Sequence, residues 1–492
     1  MAQKKAIIIG SGIAGLASAI RLSVKGYQVE VYEKNGYPGG KLSHFERKGY
    51  QFDAGPSLFT QPALIQELFD LCNEPIEKYF SYTKSNIACK YFFESGTIIQ
   101  AFANPQDFAQ ELSSKLGEDK NLVVRYLQSA QQTYQNIGQL FLDYPLKQII
   151  KLPFSQILKA LRSTKSAYLL SSLAHYNKKY FTKPETMQIF NRFATYNGSN
   201  PYKAPAMLSM IPHLEHNEGT FYPFGGMISI TNALYALALK QKVKFIFNAA
   251  VTSINHENQK VRSVTVHDKK IPADLIVSNM DVYYTYKHLL QNELVAKKII
   301  RQERSSSAII FYWGINKSFP SLELHNIFFS SDYEKEFAAI FDKKELFDDP
   351  TIYINITSKM ENSQASEGCE NWFVMVNAPH DIGQDWDHWR KICRNNVIQK
   401  LNRILKTNIE QHIQTEDYLD PQLIDLKTSS YTGSLYGTSS NSRLAAFLRH
   451  PNQSDTIKGL YFVGGSVHPG GGIPLCLRSA KIVDNMIQKF LP

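Results

Sequence analysis

The chain has 492 residues, 43% hydrophobic and 20% charged, with a formal net charge of +10. That length exceeds one ordinary domain and that composition is globular, which excludes a disordered scaffold, and no fixed-period repeat suggests a solenoid. Five cysteines (Cys72, Cys89, Cys369, Cys393 and Cys476) form no CxxC pair, so no metal set or disulfide framework is indicated.

The opening "MAQKKAIIIGSGIAGLASAIRLSVKGYQVEVYEKN" predicts strand, glycine turn, helix and second strand. A lysine pair before an apolar run imitates a signal peptide, but regular glycines and the lack of a cleavage site argue otherwise. Lys5 to Ile9 is the first strand; Gly10, Gly12 and Gly15 form GxGxxG; a helix runs to Lys25; Gln28 to Tyr32 is the second strand, closed by Glu33. Gly10 makes the turn, Gly12 admits a pyrophosphate to the backbone, and Gly15 permits helix–strand packing. A carboxylate at Glu33 accepts hydrogen bonds from ribose hydroxyls and repels a 2′-phosphate. The motif therefore predicts FAD or NAD.

Next comes "GYPGGKLSHFERKGYQFDAGPSLFT". Gly39 and Gly40 after Pro38 allow backbone to lie against an extended ligand. Further on, the stretch from Tyr144 to Pro184 contains no acidic residue and eight lysines or arginines among apolar residues at helical spacing. This predicts a basic amphipathic surface able to meet anionic lipid headgroups. No run of about 18 uncharged apolar residues could span a bilayer, so the expected location is cytoplasmic and peripherally membrane-associated. The basic residues follow no nucleic-acid module, and no nucleic-acid partner is expected.

The segment "FYPFGGMISITNALYALALKQKVKFIFNAAVTSI" predicts a helix and then a strand pair near Phe245 to Ile254, and "KIPADLIVSN" another strand. Strand-rich stretches follow in "SSSAIIFYWGIN", "PTIYINITS" and "NWFVMVNAP". At the C-terminus, "IKGLYFVGGSVHPGGGIPLCLRSAKIVDNMIQKF" predicts a strand from Leu460 to Val463, a glycine-dense turn, and a helix from about Pro474 to Phe490. No second GxGxxG accompanies it, which suits the distal half of one long cofactor and favours FAD.

Taken in order, "IIIGSGIAGLASAIRL", "YEKNGYPGGK", "FDAGPS", "TYNGSNP", "GTFYPFGGM", "ADLIVSNMDV", "DPTIYIN", "GSLYG" and "GLYFVGGSVHPGGGIP" resemble the amine-oxidase-like flavoproteins. Within them the pattern is similar to the bacterial phytoene-desaturase type of carotenoid desaturase, over nearly the whole chain. Lys41 replaces the arginine usual in that family after the paired glycines. Together with its neighbours it resembles the branch of hydroxycarotenoid 3,4-desaturases.

The resemblance implies an α/β fold: a discontinuous Rossmann-type FAD-binding domain, and an α+β substrate domain with a mixed sheet and a helical membrane-facing cap. The expected FAD-binding parts are 1–69, 216–289 and 431–492, with substrate-domain parts at 70–215 and 290–430. Cofactor contacts are expected from Gly10, Gly12, Ile13, Ala14, Gly15, Glu33, Lys34, Gly39, Gly40 and Lys41. The second loop would add Gly55, Pro56 and Ser57, with Val251 at the adenine. Gly464, Gly465, Gly472, Ile473 and Pro474 would lie at the flavin. His468 and Arg478 are the candidates for acid–base chemistry, although a structural place for His468 and a carboxylate partner for Arg478 are the simpler expectations. His325 is a candidate for orienting a terminal hydroxyl.

The implied activity is FAD-dependent desaturation of a carotenoid end, most closely 3,4-desaturation of a 1-hydroxycarotenoid. Oxygen or a membrane quinone would take the electrons. Phytoene or lycopene desaturation, carotenoid cis–trans isomerisation and a non-enzymatic prenyl-protein escort are the alternatives.

Overall fold

A computed structural model of the protein describes residues 3–144, 168, 171–442 and 449–487. Two sheets organise it. The first is parallel, with strands in the order Leu460–Phe462, Leu275–Ser278, Lys5–Ile9, Gln28–Tyr32 and Lys244–Ile246. Its central strand is buried on both faces, as an unbroken apolar run should be. Successive side chains of a strand point to opposite faces. Accordingly Ala6 and Ile8 pack with Leu16, Ile20, Leu234 and Leu477, from three helices on one side. Ile7 and Ile9 pack on the other side, with Ile254 and Val264 of an antiparallel meander.

The three helices are Ile13–Val24, Ile228–Lys240 and Ile473–Met486. The sheet thus draws its strands from three separate stretches of chain.

The second sheet has seven strands, in the order Ile413–Leu419, Ser307–Ile315, Glu370–Ala378, Ile352–Ile356, His325–Phe328, Ile87–Phe92 and Ile98–Phe102. Every pairing is antiparallel except that of His325–Phe328 with Ile87–Phe92. Alternation again separates the faces. Phe311, Trp313 and Trp372 pack under the helix Trp386–Leu405, while Ile310, Tyr312, Phe373 and Met375 turn towards a cavity. Beside this sheet, the helices Pro105–Leu116, Lys120–Thr133 and Pro184–Asn191 share a core built on Phe108, Tyr126 and Phe190.

One sequence expectation needs adjustment, and another lies mostly beyond what the structure describes. The strand pair expected near Phe245 to Ile254 is two strands of different sheets. Lys244–Ile246 joins the parallel sheet beside Gln28–Tyr32, and Val251–Glu257 opens the meander. The chain leaves one for the other at Asn248, with φ of +52°. The expected basic amphipathic surface lies largely outside the described residues, which include only Tyr144, Tyr168 and 171–184 of that stretch. Among the described residues, no helix is long and apolar enough to cross a membrane.

Candidate active site

The cavity, about 1300 Å³ in volume, reaches from the glycine turns at the end of the parallel sheet to the inner face of the mixed sheet. Gly10 N–H donates to the carbonyl of Tyr32 (2.8 Å), folding the first turn back over the second strand. Gly15 does not face the cavity. A Cβ there would lie 2.2 Å from the carbonyl oxygen of Gly10, so only glycine lets the helix approach the turn. Its N–H donates to Asn279 Oδ1 (3.1 Å), and Asn279 Nδ2 donates to the carbonyl of Val463 (3.2 Å). Asn279 thus ties the first turn to the last. Sequence reasoning did not assign it a role, although it sits at the end of the quoted strand "ADLIVSN".

Gly12, Ile13 and Ala14 line the cavity at the helix N-terminus, where the positive end of the helix dipole faces inward. Glu33 is buried in the wall. One carboxylate oxygen accepts from Ser11 N–H and Oγ (both 2.8 Å), and the other from Asn35 N–H (2.9 Å). A carboxylate has about four lone-pair sites, so capacity remains for hydroxyl donors inside the cavity. Lys34 also faces the cavity and donates to the carbonyl of Leu426 (3.2 Å) and to Ser429 Oγ (2.8 Å). Val251 lies in the same wall.

Gly39 and Gly40 pass directly beside Gly12, the Gly39 N–H donating to the carbonyl of Ser11 (2.9 Å). Lys41 follows, with Nζ donating to the carbonyl of Leu435 (3.1 Å). Burial lowers its pKa. A Cβ at Gly55 would lie 2.0 Å from the carbonyl oxygen of Lys41, so this second loop closes on the first only through glycine. Pro56 and Ser57 continue the wall, and Ser57 Oγ lies 2.9 Å from the hydroxyl of Tyr353 on the mixed sheet.

Beside the first turn, at the same end of the parallel sheet, Gly464, Gly465, Gly472, Ile473 and Pro474 line the cavity where the last helix begins. Ser479 Oγ receives the N–H of Gly464 (2.9 Å), fixing the turn to that helix.

The two acid–base candidates part company. His468 lies in the wall, but burial and the charge of Arg449 lower its pKa to about 4, leaving the ring neutral near pH 7. Arg478 lies outside the wall. It pairs with Asp143 and reaches the hydroxyl of Tyr134 (3.3 Å), as expected for a residue holding a helix in place. Sequence reasoning missed the buried pair of Arg192 and Glu215, which also lines the cavity; neither residue belongs to a motif.

Two glycine-lined helix starts side by side, a carboxylate with free lone pairs next to the first, and a long cavity leading away to the mixed sheet fit a dinucleotide cofactor in extended form. Residues 13–483 match the family described as flavin containing amine oxidoreductase. The chain belongs to that family. This flavin-containing oxidoreductase takes FAD as its cofactor.

Among sequence relatives of this family member is a 1-hydroxycarotenoid 3,4-desaturase of Flavobacterium sp. (strain P99-3). It is 51% identical, over 98% of this chain and 99% of the relative. A 4,4'-diapolycopene oxygenase of Methylomonas sp is 32% identical over 98% of each. Among solved structures, an oxidoreductase from Methanosarcina mazei shares the fold with a TM-score of 0.64 at 15% identity, covering 98% of this chain and 99% of the other.

Proposed function

We propose that the protein desaturates the 3,4 bond of a 1-hydroxycarotenoid. The observation that carries this reading is the cavity itself: glycine turns suited to FAD open directly onto the apolar sheet face of Ile310, Phe373 and Met375. A polyene end offers little to hydrogen-bond, so shape and exclusion of water must orient it. The 51% identical desaturase supports the substrate class.

Desaturation removes a hydride and a proton from adjacent carbons. Bound FAD supplies the two-electron acceptor for the hydride. Gly10, Gly12, Glu33 and Val251 would hold its adenosine half, and Gly464, Gly465 and Gly472 to Pro474 its flavin half. The mixed-sheet side chains hold the substrate against that half and keep it dry. The proton leaves from carbon next to a delocalised polyene, so a weak base suffices. His325 and His468 are both in the wall and both neutral at pH 7 because burial lowers their pKa to about 4. A lipid-dissolved substrate calls for a membrane surface, which the basic stretch from Tyr144 to Pro184 would provide. The same contact would bring a quinone within reach as electron acceptor, with oxygen as the other route.

The test is a substrate comparison. The FAD-loaded protein in liposomes is offered phytoene, lycopene and a 1-hydroxylated monocyclic carotene, and products are followed by absorbance and mass. The expected result is loss of two hydrogens, with a red shift, from the hydroxylated carotene alone. Conversion of phytoene instead would replace the reading with general desaturation.

A further inference from the structure

His325 lies in the cavity wall, and its Nε2 is buried without a hydrogen-bond partner. The ring is held by its other nitrogen. Nδ1 lies 2.8 Å from the hydroxyl of Tyr353 and 3.2 Å from Asn355 Nδ2. That amide nitrogen also donates to the carbonyl of Leu324 (3.0 Å), which fixes its N–H end towards the ring. A ring nitrogen facing an amide N–H must accept, so the single proton of the neutral imidazole sits on Nε2. Burial keeps the ring neutral. Tyr353 then donates to Nδ1 and accepts from Ser57 Oγ (2.9 Å). A polar chain therefore runs from the loop of Gly55 and Pro56 to an N–H that has nothing to donate to.

The nearby charges are paired with each other, although Arg192 Nε is also buried without a hydrogen-bond partner. Arg192 Nη2 donates to both oxygens of Glu215 (2.8 and 2.7 Å) and to the hydroxyl of Tyr91 (2.9 Å), and Tyr196 donates to Glu215. With the charges paired, a ligand that completes this corner needs no charge of its own and an acceptor oxygen for Nε2.

We propose that Nε2 of His325 donates to the terminal hydroxyl oxygen of the substrate, so that His325 determines the preference for hydroxylated over unmodified chain ends. This rests on the desaturase reading for the identity of the ligand. In a 1-hydroxycarotenoid only one carbon separates the carbon bearing the hydroxyl from the first carbon of the 3,4 bond. Fixing the oxygen therefore also fixes the bond presented for oxidation. An unhydroxylated end leaves the buried donor unpaired and should bind roughly ten- to a hundred-fold more weakly.

The experiment measures binding apart from turnover. The FAD-loaded protein in detergent micelles is titrated with a 1-hydroxylated carotene and its 1-deoxy counterpart, following quenching of flavin fluorescence, with turnover assayed in parallel. The expected wild-type preference is roughly ten-fold or more for the hydroxylated compound. In His325→Leu the ratio should fall to near one, with tighter binding of the deoxy compound. His325→Gln, which restores an amide N–H, should regain part of the preference. Tyr353→Phe, which leaves the ring held by Asn355 alone, should show an intermediate ratio and serves if the leucine variant does not fold. Equal binding of the two compounds by wild type, or an unchanged ratio in His325→Leu, overturns the proposal. A binding preference without turnover supports the assignment of His325 and removes the desaturase reading. Turnover without a binding preference does the reverse.

Discussion

Arg192 and Glu215 meet in the cavity wall with little access to water, their side chains 9% and 2% exposed. Burial pushes the Glu215 carboxyl up, but the Arg192 guanidinium, His216 and the hydrogen bonds from Arg192 and Tyr196 together outweigh it, and the carboxyl ends below its usual 4.5. The guanidinium also lies over the ring of Phe193, 4.5 Å from its centroid. A buried pair of this kind is weak evidence for net stabilisation, yet removing one partner strands the other charge in a low dielectric. Arg192→Met should therefore destabilise the protein by about 3–5 kcal/mol, measured by denaturant unfolding of the FAD-loaded form. The double change Arg192→Met with Glu215→Leu should recover most of that loss. Equal loss in the single and double variants would show that packing, not charge, is what Arg192 provides. Because the Glu215 pKa is depressed in the fold, the pair's contribution is present above pH 4.5 and fades as the pH falls through the folded value.

At the scale of elements, Asp53 shows what connects them. It ends the strand Tyr50–Asp53 and caps the helix Ile228–Lys240, accepting from Met227 N–H (3.0 Å) and Ile228 N–H (3.4 Å). Burial raises its pKa from 3.8 to about 6, against the lowering effect of those two N–H donors. The folded state thus holds a proton that the unfolded state releases earlier. Stability should fall as pH rises from about 4 to 6, by up to roughly 3 kcal/mol. Asp53→Asn keeps an acceptor for the cap and carries no charge. Its stability should be flat across that window and should exceed wild type at pH 7, checked by urea unfolding at a series of pH values; a wild-type slope retained in the variant would assign the titration to another group.

The sequence showed much at this scale and missed this link. Lys5 to Ile9 was legible as a strand because an apolar run bounded by glycine has few other forms, and the last helix because a glycine turn precedes it. "FDAGPS" was legible as a turn, and the structure places that turn in the cavity wall. That its aspartate caps a helix 174 residues away was not, since no local pattern encodes which N–H groups a distant fold leaves unpaired. His325 and Tyr353 are of the same kind. Each lies in an ordinary strand pattern, and only the antiparallel pairing of His325 with Asn355 brings them together.

At the scale of the whole molecule, the cavity is a joint more than a hollow. Its wall takes residues from Gly10 near the start to Cys476 near the end, and from both sheets. At the glycine turns, Gly10, Gly12, Gly464, Gly465 and Gly472 bring backbone directly against the cavity. A ligand that fills this space connects the helix starts at Gly12 and Gly472 and rests against the loop that holds Ser57 to Tyr353. FAD should therefore act as a structural element, binding the folded chain and not the unfolded one. Linkage then predicts added stability of about 2.7 kcal/mol when free FAD reaches a hundred times its dissociation constant. Thermal unfolding of protein stripped of flavin and titrated with FAD should show a midpoint that climbs steadily with concentration. The adenosine half alone, supplied as ADP, should raise it less, because Glu33 and the first glycine turn would be engaged while the turn at Gly464 and Gly465 stayed open. A midpoint indifferent to FAD over a hundred-fold range of concentration would mean that the cofactor sits on the fold without joining its parts. The discontinuous parallel sheet would then have to hold its three stretches of chain together by its own apolar core.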